Sequence, residues 1–256
     1  MKRFLLLLLA ATALCASARP LMVGHRGSGY AVENTAEAFE RGAEMGFDYL
    51  ECDVRVTADT VYVISHDETT ERVGGSLTIA DSKLEDLKAE KYRQVRGGVE
   101  YSGSTICTLD EYLDICKKHN VLPVIELKRS TGINNDDFSN IPGLISLIES
   151  KGFRDKAVIL TSMKKCLDYI HENYPDVGIQ FLTSTYWPNH FDWCVAQGFS
   201  PDIQYEAIDA DCVRRFHDAG LVVNSWTVNT LDEYLRLKGL GVDMVTTDRL
   251  PPRSLR

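Results

Sequence analysis

The chain has 256 residues, of which 44% are hydrophobic and 25% are charged, and its formal net charge is −9. This composition is that of a folded globular protein and argues against an intrinsically disordered chain. The acidic balance argues against a nucleic-acid-binding protein, because such proteins present a basic face to the phosphate backbone.

The first residues have the pattern of a secretory signal peptide. Two basic residues precede an apolar stretch over residues 4–14, and small residues at 16–18 form a cleavage site. The alternative is a membrane anchor, but the apolar stretch is shorter than the roughly 20 residues that a span needs. We therefore predict a signal peptide over 1–18, a mature chain that begins near Arg19, and export to the periplasm or the medium.

Short apolar runs rich in β-branched residues then alternate with helical patterns. Strands are predicted over 21–24, 48–54, 61–65, 121–127, 157–161, 178–182, 202–205, 221–226 and 243–246. Helices are predicted over 35–45, 108–119, 141–151, 163–173, 188–197, 209–218 and 230–239. The expected N-caps are Thr108, Ser162, Asp209 and Thr230, and the glycines expected where helices end are Gly152, Gly220 and Gly239. This alternation predicts a parallel sheet with crossover helices.

One of these strands does not fit a parallel sheet. The strand 61–65 follows 48–54 after a short turn, whereas a parallel crossover needs about a dozen residues. The two strands must therefore form an antiparallel hairpin, which leaves eight strands for the wall of a (β/α)8 TIM barrel. Residues 57–106 are predicted to be a small insertion after the second strand, with loops and few core residues, within one barrel domain over 19–256.

Three carboxylates are predicted to face the inside of the barrel. Glu51 and Asp53 are two residues apart on one strand and therefore share a face, while the residues of the other parity are apolar, as a helix-packed face requires. The same alternation turns Glu126 and Lys128 inward on the next wall strand. A single carboxylate is more often a surface charge or an ion pair, but three that converge are suited to a hard cation, Mg²⁺ or Ca²⁺.

Two histidines and two basic residues lie at strand ends near these acids. His25 and His66 fit a general acid and a general base, although a lone histidine is more often structural. Arg26 and Lys128 could contact phosphate oxygens, neutralise the carboxylates, or both. The other four histidines fall in predicted helices.

Further polar or aromatic residues have supporting roles in this prediction. Asn34 or Thr35 could cap the first helix, and Glu33 could orient His25 or a metal-bound water; we favour such support over direct catalysis. Trp226 could be plain core or could pack against a substrate backbone. Asp248 is expected to be structural and to brace Arg26 or Lys128.

The order of these motifs resembles that of the glycerophosphodiester phosphodiesterase family. The matching text is His25-Arg26-Gly27, Glu33-Asn34-Thr35, Glu51-Cys52-Asp53-Val54, His66-Asp67, Glu126-Leu127-Lys128, Ser225-Trp226-Thr227-Val228-Asn229 and Gly241-Val242-Asp243 with Thr247-Asp248. Each motif alone is weak, but together and in order they cover the chain from about residue 20. Val32 departs from the family, in which a proline is common at that position.

The resemblance implies a (β/α)8 barrel with an insertion after the second strand, and hydrolysis of a small glycerophosphodiester to glycerol 3-phosphate and an alcohol. It implies roles for eight residues: Glu51, Asp53 and Glu126 on the metal, His25 and His66 as the acid/base pair, Arg26 and Lys128 on the phosphate, and Trp226 on the glycerol. No nucleic-acid partner and no stable membrane insertion are expected.

Two rival functions remain open. A phosphodiesterase acting on intact lipids would present an apolar rim or a basic membrane-facing loop, and the insertion does carry Lys88, Lys91, Arg93 and Arg96, but few large apolar residues. A non-catalytic exported binding protein on the same barrel would not need two histidines beside three carboxylates.

The six cysteines after residue 18 include no CxxC pair, which argues against a zinc knuckle. We expect mostly buried thiols, although export would permit a disulfide.

Overall fold

The structure, a computed structural model, describes residues 19–185 and 188–255. The predicted signal peptide, residues 1–18, lies outside the described residues. No helix in the described ranges is long and apolar enough to cross a membrane.

The strands in chain order are β1 (Leu21–Gly24), β2 (Tyr49–Val56), β3 (Tyr62–Ile64), β4 (Arg93–Arg96), β5 (Val99–Ser102), β6 (Cys107–Thr108), β7 (Leu122–Leu127), β8 (Val158–Thr161), β9 (Gly178–Thr183), β10 (Ser200–Gln204), β11 (Asn224–Trp226) and β12 (Met244–Thr247). The helices are α1 (Ala36–Met45), α2 (Leu84–Ala89), α3 (Leu109–His119), α4 (Ile141–Ser150), α5 (Lys164–Asn173), α6 (Pro188–Gln197), α7 (Ala210–Asp218) and α8 (Leu231–Leu240).

Eight parallel strands close into a barrel, as the alternation of strands and helices predicted. Strands β1, β2 and β7 to β12 each pair in parallel with the next, and β1 pairs with both β2 and β12. Helices α1 and α3 to α8 follow the wall strands in turn. The carboxyl ends of all eight strands therefore share one rim, where active sites of this architecture form.

Most of the predicted helix caps are confirmed. The side chains of Thr108, Asp209 and Thr230 accept hydrogen bonds from the backbone of α3, α7 and α8, and two of these form full capping boxes. The prediction that Ser162 caps α5 was wrong, because Met163 is at the N-cap and makes no side-chain hydrogen bond to the helix.

The predicted helix ends are correct in two of three places. Gly152 and Gly220 each follow the C-cap residue of their helix, α4 and α7 respectively, and have positive φ. Gly239 was wrong, because it lies inside α8. The helix ends at Gly241, whose φ of 86° is in the left-handed region that glycine adopts without a Cβ clash.

The two faces of the wall are packed differently. Leu50, Cys52, Val54 and Val56 point out of β2 and are buried in the main core, together with apolar residues of the surrounding helices. Inside the barrel, a separate apolar cluster fills the space below the rim; it comprises Val23, Val124, Leu160 and Met244. The predicted alternation of faces is therefore correct. The six cysteines of the described chain are free and buried.

Between β2 and α3 the chain leaves the barrel, and we call residues 57–106 the insertion. Strand β3 pairs antiparallel with β2, which confirms the predicted hairpin. The rest is more ordered than expected, since it holds α2, the antiparallel hairpin β4–β5 and two 3₁₀ turns, Glu71–Val73 and Ile79–Asp81.

The insertion also has its own apolar cluster, so the expectation of few core residues was wrong. The cluster comprises Val63, Val73, Ile79, Leu87, Tyr92 and Ile106 of the insertion, and Val32 from the segment between β1 and α1. These residues are distributed over turns and short elements without a fixed period, which is why no helix or strand pattern shows them.

Candidate active site

The three predicted carboxylates converge inside the barrel. Asp53 of β2 lies opposite Glu126 of β7 in the parallel register, and Glu51 is on the same face of β2. One oxygen of each residue lies within 4.8 Å of the others. Glu51 and Asp53 are buried, and Glu126 is partly buried. This acidic cluster could hold a metal ion.

The electrostatics of the acidic cluster favour a cation. Burial and the charge of Asp53 raise the pKa of Glu126 to about 7, and the same two causes raise the pKa of Glu51 well above its usual range. Burial also acts to raise the pKa of Asp53, but the positive charges of Lys128 and Arg26 outweigh it and hold that pKa well below its usual range. Without added positive charge, three ionised carboxylates at this spacing repel each other.

The hydrogen bonds leave carboxylate oxygens free in the acidic cluster. Glu51 Oε2 accepts from the backbone N–H of Arg26 at 2.8 Å, but buried Oε1 has no partner within the described chain. Asp53 Oδ1 lies 3.0 Å from Lys128 Nζ without an aligned hydrogen bond. Buried carboxylate oxygens without donors fit a hard divalent cation, which binds through oxygen.

Both predicted phosphate contacts pair with the acidic cluster. Lys128 Nζ is 2.6 Å from Glu126 Oε1, and Arg26 Nε is 3.4 Å from Asp53 Oδ2. The backbone of Arg26 has φ = 52°, in the left-handed region, and this turns its N–H towards Glu51. Arg26 and Lys128 therefore do neutralise carboxylates of the acidic cluster, as one of the two predicted roles required. Their contact with phosphate oxygens stays a prediction.

Glu33 and Asn34 support neighbouring site residues. Asn34 donates from Nδ2 to Asp53 Oδ2 at 2.7 Å, while Thr35 caps α1. Glu33 accepts from Arg26 Nη1 at 2.8 Å, so the expectation that it orients His25 was wrong.

His25 follows β1 directly and is held by Asp248. Its Nδ1 lies 3.0 Å from Asp248 Oδ1. Asp248 also accepts from Arg96 Nη2 at 2.6 Å and from Asn229 Nδ2 at 3.0 Å. The expectation that Asp248 braces Arg26 or Lys128 was therefore wrong, because it lies at the end of β12, beside β1.

His66 follows β3 and is held by Asp67 in a parallel way. Its Nδ1 lies 2.6 Å from Asp67 Oδ1, and Asp67 accepts two hydrogen bonds from Arg72. Burial lowers the pKa of His66, as do the charges of Arg26 and Lys128, while Asp53 opposes the shift. His66 lines one pocket together with Asn34, whose side chain bonds Asp53 of the acidic cluster.

The two histidines share one arrangement. Each Nδ1 faces a carboxylate, and within residues 19–185 and 188–255 neither Nε2 has a hydrogen-bond partner. A carboxylate at Nδ1 favours the tautomer with the proton on that atom and leaves Nε2 for a reacting group. The remaining histidines lie in α3, α5, α6 and α7, as predicted.

Trp226 ends β11 and is half-buried, and its Nε1 donates to the carbonyl of Asp202 at 3.3 Å. The contact with glycerol stays a prediction. Asp202 is a fourth inward carboxyl group that the sequence did not single out, and burial raises its pKa well above the usual range. Its position two residues before the end of β10 could have predicted it.

Several supporting residues were missed. Arg55 shares the parity of Asp53, which could have predicted its inward position; its guanidinium donates to the carbonyl of His66 at 2.7 Å and to that of Arg129 at 2.9 Å. Gln94 donates to Glu33 at 2.8 Å from the hairpin β4–β5. No sequence signal places this hairpin against the rim.

Comparison with known proteins agrees with this geometry. The sequence profile of the glycerophosphoryl diester phosphodiesterase family matches residues 25–251. A glycerophosphodiester phosphodiesterase of Caldanaerobacter subterraneus is 28% identical over 238 residues, which cover 90% of this chain and 94% of that protein. Glycerophosphodiester phosphodiesterase 1 of Mus musculus is 26% identical over 243 residues, covering 82% of this chain and 72% of that protein.

Solved structures share the fold. An Oleispira antarctica phosphodiesterase in complex with its product, sn-glycerol-3-phosphate, has a TM-score of 0.79 and 22% identity, with 92% of this chain and 95% of that chain covered. A glycerophosphodiester phosphodiesterase of Thermotoga maritima has a TM-score of 0.75 and 23% identity, with 94% and 100% covered.

Proposed function

The chain belongs to the glycerophosphoryl diester phosphodiesterase family, and on this premise we propose that it hydrolyses glycerophosphodiesters to glycerol 3-phosphate and an alcohol with the help of Mg²⁺ or Ca²⁺. The observation that carries the proposal is the convergence of Glu51, Asp53 and Glu126, with oxygens within 4.8 Å of one another. The substrate class is supported by the relatives of the same activity and by the structural neighbour that binds sn-glycerol-3-phosphate.

The acidic cluster would hold the cation. Glu51, Asp53 and Glu126 offer an all-oxygen donor set, which suits Mg²⁺ or Ca²⁺ better than a soft metal. When bound, the cation would supply positive charge to the non-bridging oxygens of a phosphodiester. Asn34 fixes one oxygen of Asp53 by a hydrogen bond of 2.7 Å, so the orientation of that carboxylate is set before any ligand binds.

Arg26 and Lys128 would bind the phosphate from the protein side. Both are largely buried cations that contact the acidic cluster, so a phosphate that approaches the cluster would meet both of them. Glu33 holds Arg26 Nη1 at 2.8 Å, and this orients the guanidinium. Fixed positive charges of this kind stabilise the charge that develops during phosphoryl transfer.

His25 and His66 would move the protons. One Nε2 accepts the proton of the attacking hydroxyl as its oxygen bonds to phosphorus, and the other donates a proton to the alkoxide as its bond to phosphorus breaks. Each ring is held by a carboxylate at Nδ1. The attacking hydroxyl is either that of water or the substrate's own glycerol hydroxyl, which would form a cyclic phosphate that water then opens. A substrate analogue without the neighbouring glycerol hydroxyl distinguishes the two, because only direct attack by water can hydrolyse it.

The experiment that tests this function is a turnover assay on the mature protein with glycerophosphocholine, with and without a chelator. We expect equal amounts of glycerol 3-phosphate and choline, loss of turnover in EDTA, and recovery with Mg²⁺ or Ca²⁺. Hydrolysis of phosphatidylinositol or sphingomyelin vesicles with none of glycerophosphocholine would replace the proposal with a lipid phosphodiesterase. Binding of glycerophosphocholine without turnover would replace it with a binding protein.

We also propose that the protein is exported after cleavage behind residue 18. The proposal is supported by the pattern of basic, apolar and small residues, and a cut there retains Arg19, which pairs with Asp48 at 2.6 Å. Cell fractionation with N-terminal sequencing should find an exported chain that begins near Arg19. A cytosolic full-length chain would contradict the proposal.

A further inference from the structure

Each of the two histidines contacts a carboxylate, and that carboxylate also contacts an arginine. Behind His25 are Asp248 and Arg96, and behind His66 are Asp67 and Arg72. Both arginines belong to the insertion, as do His66 and Asp67, whereas His25 directly follows β1 and Asp248 directly follows β12. We refer to the two series as the His25 arm and the His66 arm.

In the His25 arm, one carboxylate oxygen receives both neighbours. Asp248 Oδ1 lies 3.0 Å from His25 Nδ1 and accepts from Arg96 Nη2 at 2.6 Å. Arg96 is itself fixed, because its Nη1 donates to the carbonyl of Ser28 at 2.6 Å and only 12% of its side chain is exposed. The other oxygen, Oδ2, accepts from Asn229. The carboxylate therefore has three donors and little freedom to rotate away from the ring.

In the His66 arm, Arg72 donates two hydrogen bonds to the carboxylate of Asp67. Arg72 Nε is 2.7 Å from Asp67 Oδ2, and Nη2 is 2.9 Å from Oδ1, the oxygen that also faces His66 Nδ1 at 2.6 Å. Paired hydrogen bonds of this kind fix the plane of the carboxylate as well as its position. The arm is more open than the other, since 43% of the Arg72 side chain is exposed.

The insertion is built to hold these two arginines in place. Arg72 lies in the 3₁₀ turn Glu71–Val73, whose Val73 belongs to the apolar cluster of the insertion. Arg96 ends β4, which is paired with β5 along its whole length. The same arrangement of histidine, carboxylate and arginine therefore occurs twice, and both arginines come from the insertion.

We propose that Arg72 and Arg96 are positioning residues, through which the insertion holds the rings of His66 and His25 in the orientation that catalysis needs. This proposal rests on the proposed function, since it assigns the insertion a task in that same reaction. The proposal explains why the insertion, which contributes no carboxylate to the acidic cluster, contacts the site through both Arg72 and Arg96.

The first test uses crossed double-mutant cycles on the mature protein. Arg96→Gln and Arg72→Gln should each lower kcat by about 10-fold to 100-fold with KM changed little, as is typical when a group that orients a catalytic residue is lost. Asp248→Asn and Asp67→Asn should each lower kcat by at least about 100-fold. Adding Arg96→Gln to Asp248→Asn should cost less than about 3-fold more, whereas adding it to Asp67→Asn should cost its full effect.

The pattern must reverse for Arg72, which should couple to Asp67 and not to Asp248. The matched control is Arg93→Gln, because Arg93 lies exposed on the same strand as Arg96 and makes no side-chain hydrogen bond or ion pair within the described part of the chain. We expect its kcat to equal that of the wild type. Full additivity in all four crossings would overturn the proposal and leave the arginines as structural residues.

A second readout does not depend on turnover. Two-bond ¹H–¹⁵N spectra report the tautomer of each histidine ring, and His25→Gln and His66→Gln assign the two signals. Arg96→Gln should convert His25 from a single Nδ1–H tautomer to a mixture and leave His66 unchanged, and Arg72→Gln should do the opposite. Changes in both rings or in neither would contradict the proposal.

Failure of the proposed function would be seen separately. A wild-type protein without phosphodiester turnover would refute the function while the tautomer spectra still tested the two arms. Wild-type turnover together with additive crossings would keep the function and reject the arms.

Discussion

The barrel rim and the insertion contribute to the candidate site in different ways. The rim supplies the acidic cluster and Lys128 from β2, β7 and the residue that follows β7, which are fixed by a parallel ladder of hydrogen bonds. The insertion supplies His66 and its partner Asp67, together with Gln94, Arg96 and Arg72, which contact carboxylates outside the acidic cluster. The groups proposed to bind the phosphate therefore lie on or next to rigid strands. The arginines of the insertion contact the carboxylates that orient the two histidines.

Removal of either rim histidine should have the largest effect. His25→Ala and His66→Ala should each lower kcat by about 10²–10⁴-fold, because a positioned acid or base contributes that much. The fold should remain intact, because Asp248 and Asp67 lose the Nδ1 contact but each keep a hydrogen bond from an arginine. Steady-state kinetics with glycerophosphocholine and a thermal melt measure both.

A matched control for this prediction is His217→Ala. His217 lies on α7 and pairs with Asp243, away from the acidic cluster. Its kcat should equal that of the wild type. Wild-type activity in His25→Ala or in His66→Ala would show that the assignment of the acid/base pair is wrong.

The core of the insertion should be separable from that of the barrel. Leu87 is fully buried in the apolar cluster of the insertion, so Leu87→Ala should lower the free energy of opening this segment by about 2–5 kcal/mol. Hydrogen exchange should accelerate over 57–106 and remain unchanged in β7. Val95→Ala, at an exposed position of the same segment, is the control. Equal acceleration in β7 would show that the two regions unfold as one unit.

Because of the acidic cluster, the metal-free protein should be less stable at neutral pH than at mildly acidic pH. Burial and Asp53 raise the pKa of Glu126 from 4.5 to about 7, so the folded protein binds a proton that the unfolded chain has lost. The free energy of unfolding in EDTA should therefore fall as pH rises from about 4.5 to 7. Glu126→Gln should flatten this part of the profile in denaturant titrations. An unchanged pH profile in that variant would contradict the assigned shift.

The smallest effect is expected at the ion pair that joins the insertion to the barrel helices. Lys88 Nζ lies 2.7 Å from both carboxylate oxygens of Glu111, and both side chains are partly exposed. Lys88→Ala should lower the free energy of unfolding by about 1 kcal/mol or less and leave kcat unchanged. Lys91→Ala, at an exposed neighbouring position, is the control. A loss as large as that of Leu87→Ala would mean that this pair, and not the apolar cluster, holds the insertion.

The barrel was predictable because its pattern is local. The alternation of polar and apolar residues along β2 was enough to predict that Glu51 and Asp53 face inward, and the same rule applied to Glu126. The hairpin β2–β3 followed from the length of one turn. Alternation of strands with capped helices then fixed the rim on which these side chains meet.

The insertion was not predictable, because its contacts are long-range. Arg96 and Asp248 are 152 residues apart in the chain, and nothing in either local sequence indicates that they meet. Ser162 and Gly239 failed for a smaller reason. Each residue type is suited to a helix end, but the chain used Met163 and Gly241 instead, and helix ends are the least certain feature of a pattern.

The most direct test of the central claim is a crystal structure of the mature protein with Mn²⁺, whose anomalous signal locates the ion. We predict one peak within about 2.6 Å of carboxylate oxygens from Glu51, Asp53 and Glu126, the range of oxygen ligands around such hard cations. A peak held by other residues, or no peak at the acidic cluster at saturating Mn²⁺, would contradict it.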